Sequence, residues 1–168
     1  GYVYWASHQN PQTVVSKIPE VLTLKISKIK DFSKFDAILI GPGLGVNSKS
    51  LKILKSLRDH PRVIVDADAL TLLSKKSISI PETWILTSHP GELARILNTT
   101  ATKINQSRAE SLKQGVRDLP CNMLLKGYRS LVTDGEQIFE IQSGNEALAK
   151  AGSGDVLSGM VAGLLAQG

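Results

Sequence analysis

The sequence has very little cysteine, few aromatic residues and no long apolar run. A single cysteine, Cys121, among 168 residues excludes an internal disulfide framework and any cysteine-based zinc site. No apolar stretch approaches the roughly 18 to 20 residues of a membrane span, and no charged-then-apolar signal segment opens the chain. The expected setting is therefore the reducing cytoplasm.

The charge of the chain is basic but dispersed. The net charge is +5, and the lysines are spread along the sequence without a dense tract or interleaved aromatics. Aromatic residues make up only 5% of the chain, so nucleic-acid binding is not the favoured interpretation. A solvated basic surface explains the charge better, and its field favours anionic small molecules. The length suits one domain with a sizeable core.

Strand and helix patterns alternate from Asp36 onward. Runs such as Ala37–Ile40 are apolar without polar alternation, which is typical of strands covered on both faces of a parallel sheet. Asp134 and Gly135 predict a two-residue hairpin turn. We predict an α/β layered domain with a mostly parallel sheet and an antiparallel edge. The predicted strands are residues 2–6 (a buried strand), 21–26, 37–40, 63–65, 84–87, 122–126, 130–133 and 137–141.

The predicted helices lie between and after these strands. Asn10 and Ser48 are the predicted N-caps of helices at residues 11–18 and 48–59. Gly168 is predicted to be the C′ residue of the last helix. The other helices are predicted up to about residue 74, from the SHPGE segment through residue 97, at residues 105–118, and after the glycine-rich segment near residue 152.

Five polar or glycine-rich segments are predicted to lie at the same edge of the sheet. In open α/β sheets, ligands bind outside the carboxyl ends of the strands, and four of the segments follow strands there. The fifth begins the last helix. This clustering predicts a binding site at that edge of the sheet. The segments are GPGLG (41–45), DADAL (66–70), SHPGE (88–92), KGYRS (126–130) and GSGD (152–155).

The last of these segments carries the sharpest chemistry. Glycines let the backbone bring its N–H groups close to a ligand, and the first turn of a helix attracts anions such as phosphate. Asp155 at that place can take a proton from a substrate hydroxyl, or hold a metal ion, while the amides hold a transferring phosphoryl group. The equally open alternative is a loop in which Asp155 is an ordinary residue of a helix N-terminus.

The other segments also have structural alternatives that the residues alone leave open. Asp66 and Asp68 can be helix-capping groups, and His89 before Pro90 can mark a helix start. Glu92 in a first helical turn is stabilised by the helix dipole without any further role. Lys126 at the end of a strand can simply reach solvent.

The chain resembles the ADP- or ATP-dependent NAD(P)H-hydrate dehydratases of the ribokinase-like superfamily. Five segments carry the resemblance in order: DAILIGPGLG, VIVDADAL, ILTSHPGELARIL, LLKGYRSLV and GNEALAKAGSGDVLSGMVAGLLAQG. The resemblance implies that residues 1–168 are part of a single three-layer α/β/α domain that is longer at both ends in the family. It implies a repair enzyme that restores NADH or NADPH from NADHX or NADPHX, the cofactors hydrated at the nicotinamide ring. The ring hydroxyl would be phosphorylated from ADP or ATP with Mg²⁺, and phosphate would then be eliminated.

The resemblance also implies roles for individual residues. Asp155 would be the catalytic base, with Gly152, Ser153 and Gly154 presenting amides to the transferring phosphate; Ser153 stands where threonine is common, and Ala151 where glycine is frequent. No set of metal ligands is identified. The implied nucleotide-binding residues are Lys126, Gly127, Tyr128, Arg129, Ser130, Asn145 and Gly154. The implied substrate-binding residues are Gly43, Gly45, Asp68, His89, Gly91, Glu92 and Asp155.

Two other functions stay open on the sequence. The first is a ribokinase-like kinase of a vitamin-precursor alcohol, which shares the glycine–aspartate site and differs in the SHPGE and DADAL segments. The second is a nucleotide-binding module without catalysis. The expected partners are NADHX or NADPHX and ADP or ATP, with no nucleic acid and no membrane, and the family commonly forms homo-oligomers. The sequence does not decide between ADP and ATP.

Overall fold

A computed structural model describes residues 1–8, 18–75 and 78–168 of the chain. These residues form two compact units, residues 1–35 and residues 36–168. The second unit contains all five segments that are predicted to line the binding site. Within the described ranges, no helix combines the length and the hydropathy needed to cross a bilayer.

The first unit is a small parallel ribbon of two strands. Strand β1 (Val3–Ser7) pairs with β2 (Val21–Lys25), which confirms both predicted strands. The prediction that the first strand is buried is wrong, because the side chains from Val3 to Ala6 are exposed. A sheet of two strands provides no second layer to cover them. The helix predicted at 11–18 falls on residues outside the described ranges, apart from Ile18.

The second unit is built on a six-stranded sheet. In spatial order its strands are β3 (Ile38–Ile40), β4 (Val63–Val65), β5 (Ile85–Ser88), β6 (Asn122–Leu125), β7 (Leu131–Thr133) and β8 (Ile138–Glu140). Strands β3 to β6 pair in parallel, whereas β7 and β8 are antiparallel to their neighbours. The predicted α/β class, with a mostly parallel sheet and an antiparallel edge, is confirmed.

Six α-helices of the described residues cover this sheet. They are α1 (Ser48–Ser56), α2 (Ala67–Lys75), α3 (Pro90–Ile96), α4 (Ala101–Gln106), α5 (Arg108–Asp118) and α6 (Ser153–Leu165). Strands β3 to β6 follow one another in a single direction, so right-handed crossovers place the helices between them on one face. Helix α6 comes after the hairpin and packs against β3 and β4. All three residues of β4 are fully buried, as expected for a strand covered on both faces.

The start of α1 differs from the prediction by one residue. Asn47, not Ser48, is the N-cap, and its side-chain oxygen accepts from the backbone N–H groups of Lys49 and Ser50 at 2.9 and 3.1 Å. The helix ends at Ser56 rather than at Asp59, although Leu57, just beyond its end, is also buried. An asparagine offers the same capping oxygen as a serine, so composition alone does not separate two adjacent candidates.

This cap gives a first testable prediction. Replacing Asn47 by Ala removes both bonds to orphan helix donors, and we expect the free energy of unfolding to fall by about 1 kcal/mol. Urea unfolding followed by circular dichroism measures the change. Ser48→Ala is the matched control and should leave stability within about 0.5 kcal/mol, because an exposed substitution outside the cap costs little. The reverse order of the two effects would contradict the assignment.

Three further boundaries differ from the predictions. The helix predicted at 105–118 is two helices, because Ser107 has non-helical backbone angles between α4 and α5. The hairpin loop has four residues instead of two, since Thr133 pairs with Ile138. The Asp134 carboxylate accepts from the N–H groups of Gln137 and Glu136, which lowers its pKa and fixes the longer turn. Gly168 lies three residues beyond the end of α6 at Leu165, so it is not the C′ residue.

The only cysteine lies in the core between α5 and β6. Burial raises the pKa of the Cys121 thiol from 9.0 to about 12. Because the thiolate is the reactive form, we expect iodoacetamide at about pH 8 to modify Cys121 only when the protein unfolds. Stability should also decline between pH 9 and about pH 12, where the unfolded thiol ionises and the folded one does not. Mass spectrometry after timed labelling tests this, and fast modification of the folded protein would contradict it.

Candidate functional site

The predicted segments do meet at one edge of the sheet. Strands β3 to β6 are parallel and paired, so the segments that follow them leave from the same side. The start of α6 reaches this edge as well, because a Cβ atom on Gly154 would lie 3.5 Å from the ammonium nitrogen of Lys126. The structure therefore brings the glycine-rich turn of α6 against the lysine that ends β6.

A buried ion pair occupies the centre of this edge. The Nζ atom of Lys126 donates to Oδ1 of Asp66 at 2.8 Å, and Asp66 is almost completely buried. The same oxygen accepts from the backbone N–H of the next residue, Ala67, at 2.8 Å. An N-cap side chain would accept from the second or third N–H of the helix instead, so this bond does not make Asp66 a helix cap. Lys126 does not reach into open solvent, so that alternative is wrong. It is held by a carboxylate from a strand two positions away in the sheet.

Two buried hydroxyls complete this network. Ser158 on α6 donates to Oδ2 of Asp66, and its oxygen lies 3.1 Å from Oγ1 of Thr87 on β5. The network thus joins the ends of β4, β5 and β6 to α6. Sequence reasoning missed Ser158 and Thr87. The available signal was a serine one helical turn after Gly154, in a helix that is otherwise small and apolar.

The SHPGE segment forms a complete helix cap. His89 is the N-cap of α3: its Nδ1 accepts from the N–H of Gly91 at 3.0 Å, and its own N–H donates to Oε2 of Glu92 at 2.8 Å. Oε2 of the buried Glu92 also lies 4.0 Å from Nζ of Lys126. A Cβ atom on Gly91 would lie 2.9 Å from the His89 ring, so this cap needs glycine there. The helix-start interpretation is confirmed, and Glu92 is additionally drawn into the lysine network.

The GPGLG and DADAL segments, which hold three further substrate candidates, are joined by a hydrogen bond. The N–H of Gly45 donates to Oδ2 of Asp68 at 2.7 Å, which links the GPGLG loop to the first turn of α2. Gly43 and Gly45 have positive φ angles of 64° and 78°, a backbone conformation that favours glycine. The loop is therefore tied to the DADAL segment through the backbone of Gly45.

The KGYRS segment forms a sharp turn that packs against the guanidinium group of Arg108. Gly127 has a φ of 141°, and a Cβ atom there would lie 3.0 Å from the Arg108 guanidinium. One nitrogen of that guanidinium donates to the backbone oxygens of Leu125 and Lys126, at 3.2 and 3.4 Å. Burial lowers the pKa of Arg108. Sequence reasoning missed this arginine, because it is the first residue of a helix and lies 17 residues before its partner Leu125.

The other residues of that turn lie on the surface. Ser130 donates through Oγ to the backbone oxygen of Gly127 at 3.0 Å. Arg129 has a positive φ and lies 3.3 Å from a Glu140 carboxylate oxygen, and Tyr128 is 87% exposed. Their side chains therefore stand on the outer side of the turn, away from the buried network.

The first turn of α6 has no side-chain cap. Its N-cap is Gly152, with a φ of 86° that only glycine adopts readily, and open space surrounds the position of a Cβ atom there. Ser153 turns its hydroxyl back to the oxygen of Lys150 at 2.8 Å, and Asp155 is exposed. No side chain caps the amides of this helix start, although the Ser153 N–H donates to the backbone oxygen of Lys150 at 3.2 Å. A helix start without a side-chain cap, close to an ammonium group, suits an anion such as phosphate.

The Asn145 side chain bonds to its own loop rather than to the buried network or the start of α6. Asn145 is exposed, and its side chain caps a short 3₁₀ helix (Glu146–Leu148) by accepting from Ala147 N–H at 2.9 Å. Within the part of the chain that the structure describes, no group of three or more His, Cys, Asp or Glu side chains could hold a metal ion.

Comparisons with known proteins point to one family. The sequence profile described as NAD(P)H-hydrate dehydratase matches residues 2–168. The chain is 33% identical over 168 residues to the ADP-dependent (S)-NAD(P)H-hydrate dehydratase of Neisseria meningitidis, covering 94% of this chain and 56% of the relative. It is 39% identical over 147 residues to the bifunctional NAD(P)H-hydrate repair enzyme Nnr of Moorella thermoacetica, covering 83% of this chain and 28% of the relative. The chain thus spans about half of one curated relative and about a quarter of the other.

A solved structure agrees. The ADP/ATP-dependent NAD(P)H-hydrate dehydratase of Bacillus subtilis, co-crystallized with ATP/Mg²⁺ and soaked with CoA, superposes with a TM-score of 0.84 at 28% sequence identity. The match covers 99% of this chain and 64% of that chain. The ribokinase-like fold that the resemblance implied is confirmed by such neighbours.

Proposed function

This chain belongs to the NAD(P)H-hydrate dehydratase family, and we propose that the protein carrying it restores NADH and NADPH from NADHX and NADPHX. The reaction uses a phosphoryl group from ADP or ATP. One observation carries the proposal: the glycine turn before Asp155, which has no side-chain cap, lies close to the Lys126 ammonium at the edge of the sheet where the other predicted segments end. An anionic phosphoryl group and a hydroxyl beside it fit that place.

The chemistry accounts for the need for a nucleotide. Water leaves badly from a saturated carbon, and phosphorylation turns the ring hydroxyl into a good leaving group. The lone pair of the ring nitrogen then expels phosphate and leaves an iminium ion. Loss of a proton from the neighbouring ring carbon restores the carbon–carbon double bond and returns the lone pair to nitrogen. The protein has to supply position and charge stabilisation for both steps.

The residues of this chain take distinct parts in the proposal. Asp155 accepts the proton of the substrate hydroxyl as that oxygen attacks the terminal phosphorus of the donor. The amides of Gly152, Ser153 and Gly154 stabilise the transferring group, for which the Ser153 N–H gives up its bond to the Lys150 oxygen, and the nearby Lys126 adds positive charge. The turn from Gly127 to Ser130 contacts the nucleotide, largely through backbone at Tyr128 to Ser130, and Asn145 is a further nucleotide contact. The hydrate lies against the opposite loops, at Gly43, Gly45, Asp68, His89, Gly91 and Glu92.

The residues of the site suit an Mg²⁺ ion that is held mainly by the phosphates of the nucleotide. The described residues provide no cage of carboxylates and histidines, whereas Mg²⁺ commonly binds through substrate phosphates, water and one or two carboxylates. Asp155 is the exposed carboxylate at the phosphate position. When bound, Mg²⁺ neutralises charge on the donor phosphates, and Asp155 is the residue that would face it.

Product analysis separates this function from the runner-up. After incubation of the full-length gene product with ADP or ATP, Mg²⁺ and NADHX, we expect inorganic phosphate and NADH in equal amounts. Accumulation of a stable phosphorylated alcohol, with no free phosphate, would support a small-molecule kinase instead. Nucleotide binding in calorimetry without turnover of any alcohol would support the non-catalytic module.

Several expectations stay predictions. They are the use of either ADP or ATP as the donor, the cytoplasmic location, the homo-oligomer, and the inclusion of residues 1–168 in a single larger domain. Comparison of the two donors in the product assay decides the first of these.

A further inference from the structure

Ser158 is polar at a position where α6 otherwise packs through apolar and small residues. It is fully buried, and it comes one turn after Gly154, whose backbone oxygen lies 3.0 Å from the hydroxyl. A serine in such a place often bonds only to the carbonyl four residues before it. Here the Asp66 carboxylate is the stronger acceptor for its single proton, because a charged acceptor forms the stronger bond. Thr87 supplies a second hydroxyl from β5.

The Asp66 carboxylate is consequently fixed by three donors. Lys126 and the N–H of Ala67 bind one oxygen, and Ser158 binds the other. A buried polar network of this kind costs free energy unless every member is satisfied, and this one is satisfied throughout the described residues. An apolar cluster would hold the same elements together, so stability alone does not explain the polar residues.

The network fixes two things that act at the phosphate position. Through Asp66 it sets the Lys126 ammonium, which lies close to Gly154. Through Ser158 it ties α6 to the same carboxylate, only five residues after the N-terminal Ser153 of this helix. The ammonium and the amides of this helix start therefore have a common anchor.

We propose that Ser158 and Asp66 are positioning residues that hold the Lys126 ammonium and the first turn of α6 in one geometry, so that both act on the same transferring phosphoryl group. This inference rests on the proposed function. Neither residue touches the substrate. Misplacement of a catalytic group by about 1 Å can lower the rate about a hundredfold, which gives such an anchor a large effect on turnover.

The test compares Ser158→Ala with Thr133→Val in the full-length gene product. Thr133 is also a buried hydroxyl: it donates to the Gln137 oxygen at 2.6 Å, and it pairs with Met123 at the start of β6, away from the site. We expect Ser158→Ala to lower kcat about thirtyfold to a hundredfold, with the KM for NADHX within about twofold. The affinity for ADP, measured by calorimetry, should fall at least about threefold because the phosphate anchor is displaced. Thr133→Val should change neither quantity, although it loses a buried hydrogen bond too.

Two further variants separate positioning from folding. Ser158→Cys keeps the size of the side chain and a weak donor, so it should give an intermediate kcat and carries the comparison if Ser158→Ala does not fold. The double variant Thr87→Ser with Ser158→Thr moves one methyl group between neighbouring side chains and keeps both hydroxyls. Its kcat should therefore lie close to that of the wild-type protein and well above that of Ser158→Ala.

Equal kcat and equal ADP affinity in folded Ser158→Ala and Thr133→Val would overturn the inference. Failure of the proposed function has a different signature, namely wild-type protein that binds ADP and does not dehydrate NADHX. In that case the ADP affinities of the two variants still decide whether Ser158 positions the phosphate site.

Discussion

Asp155→Asn should lower kcat for NADHX dehydration by about a hundredfold to ten-thousandfold, the range expected for loss of a general base. Asn keeps the shape of the side chain and removes its ability to accept the proton of the substrate hydroxyl. Because Asp155 is exposed, its replacement should leave the free energy of unfolding within about 0.5 kcal/mol. Without Mg²⁺, nucleotide binding depends on the amides and on Lys126, so the Kd for ADP measured in the absence of the metal should stay within about threefold.

The control for this substitution is Asp118→Asn. Asp118 is an exposed carboxylate at the end of α5, where it accepts a bond from Gln114. Its replacement removes the same charge from the protein and should leave kcat unchanged. Steady-state rates and ADP calorimetry on both variants complete the comparison. Full activity of Asp155→Asn would remove Asp155 from the mechanism.

Gly41→Ala should produce the largest loss of stability among single substitutions considered in this chain, about 4 kcal/mol in the free energy of unfolding. Gly41 is buried and has a φ of 131°, a region that residues with a Cβ atom rarely adopt. A Cβ atom there would overlap the backbone oxygen of Asp66 and lie 2.7 Å from its carbonyl carbon. The backbone on both sides would have to move, and Asp66 would move with it. Urea unfolding measures the loss.

Gly159→Ala is the matched control for this substitution. Gly159 lies within α6, is exposed, and has no atom within 4 Å of the place a Cβ atom would occupy. Alanine is the better helix former, so this change should raise stability by about 0.5 to 1 kcal/mol. Similar stabilities of the two variants would contradict the close approach of Gly41 to the Asp66 backbone.

The location of the site at one edge of the sheet could be predicted from the sequence, because it follows from the parallel direction of the strands. Continuous apolar runs such as Val63–Val65 predict strands buried on both faces, and parallel strands end at a common edge. The polar segments that follow these strands can be identified directly from the sequence. GPGLG and DADAL are indeed linked there through Gly45 and Asp68.

The partners of individual side chains could not be predicted, because they depend on contacts between distant parts of the chain. Ser158 and Asp66 are separated by 92 positions, and Lys126 and Asp66 by 60. Arg108 supports the Gly127 turn from a helix that the sequence did not separate from its neighbour. The spacing of residues along the chain does not indicate which distant side chains will meet. It does indicate strands and helices, because their buried residues recur at regular intervals.

The exposure of β1 could not be predicted for a related reason. The segment YVYWA has the composition of a buried strand, and β1 does form where it was expected. Burial requires a second layer, and a sheet of two strands does not contain one. Local sequence therefore predicted the conformation, and tertiary packing determined the exposure.

The central claim is that this protein returns hydrated nicotinamide cofactor to its reduced form at the expense of a nucleotide. The most direct test follows the near-ultraviolet absorbance of the reduced nicotinamide ring, using the full-length gene product with NADHX, Mg²⁺ and either ADP or ATP. We predict an absorbance rise that requires a nucleotide and that is lost in Asp155→Asn, and the faster donor identifies the natural one. An unchanged absorbance in a protein that still binds ADP or ATP would contradict the claim.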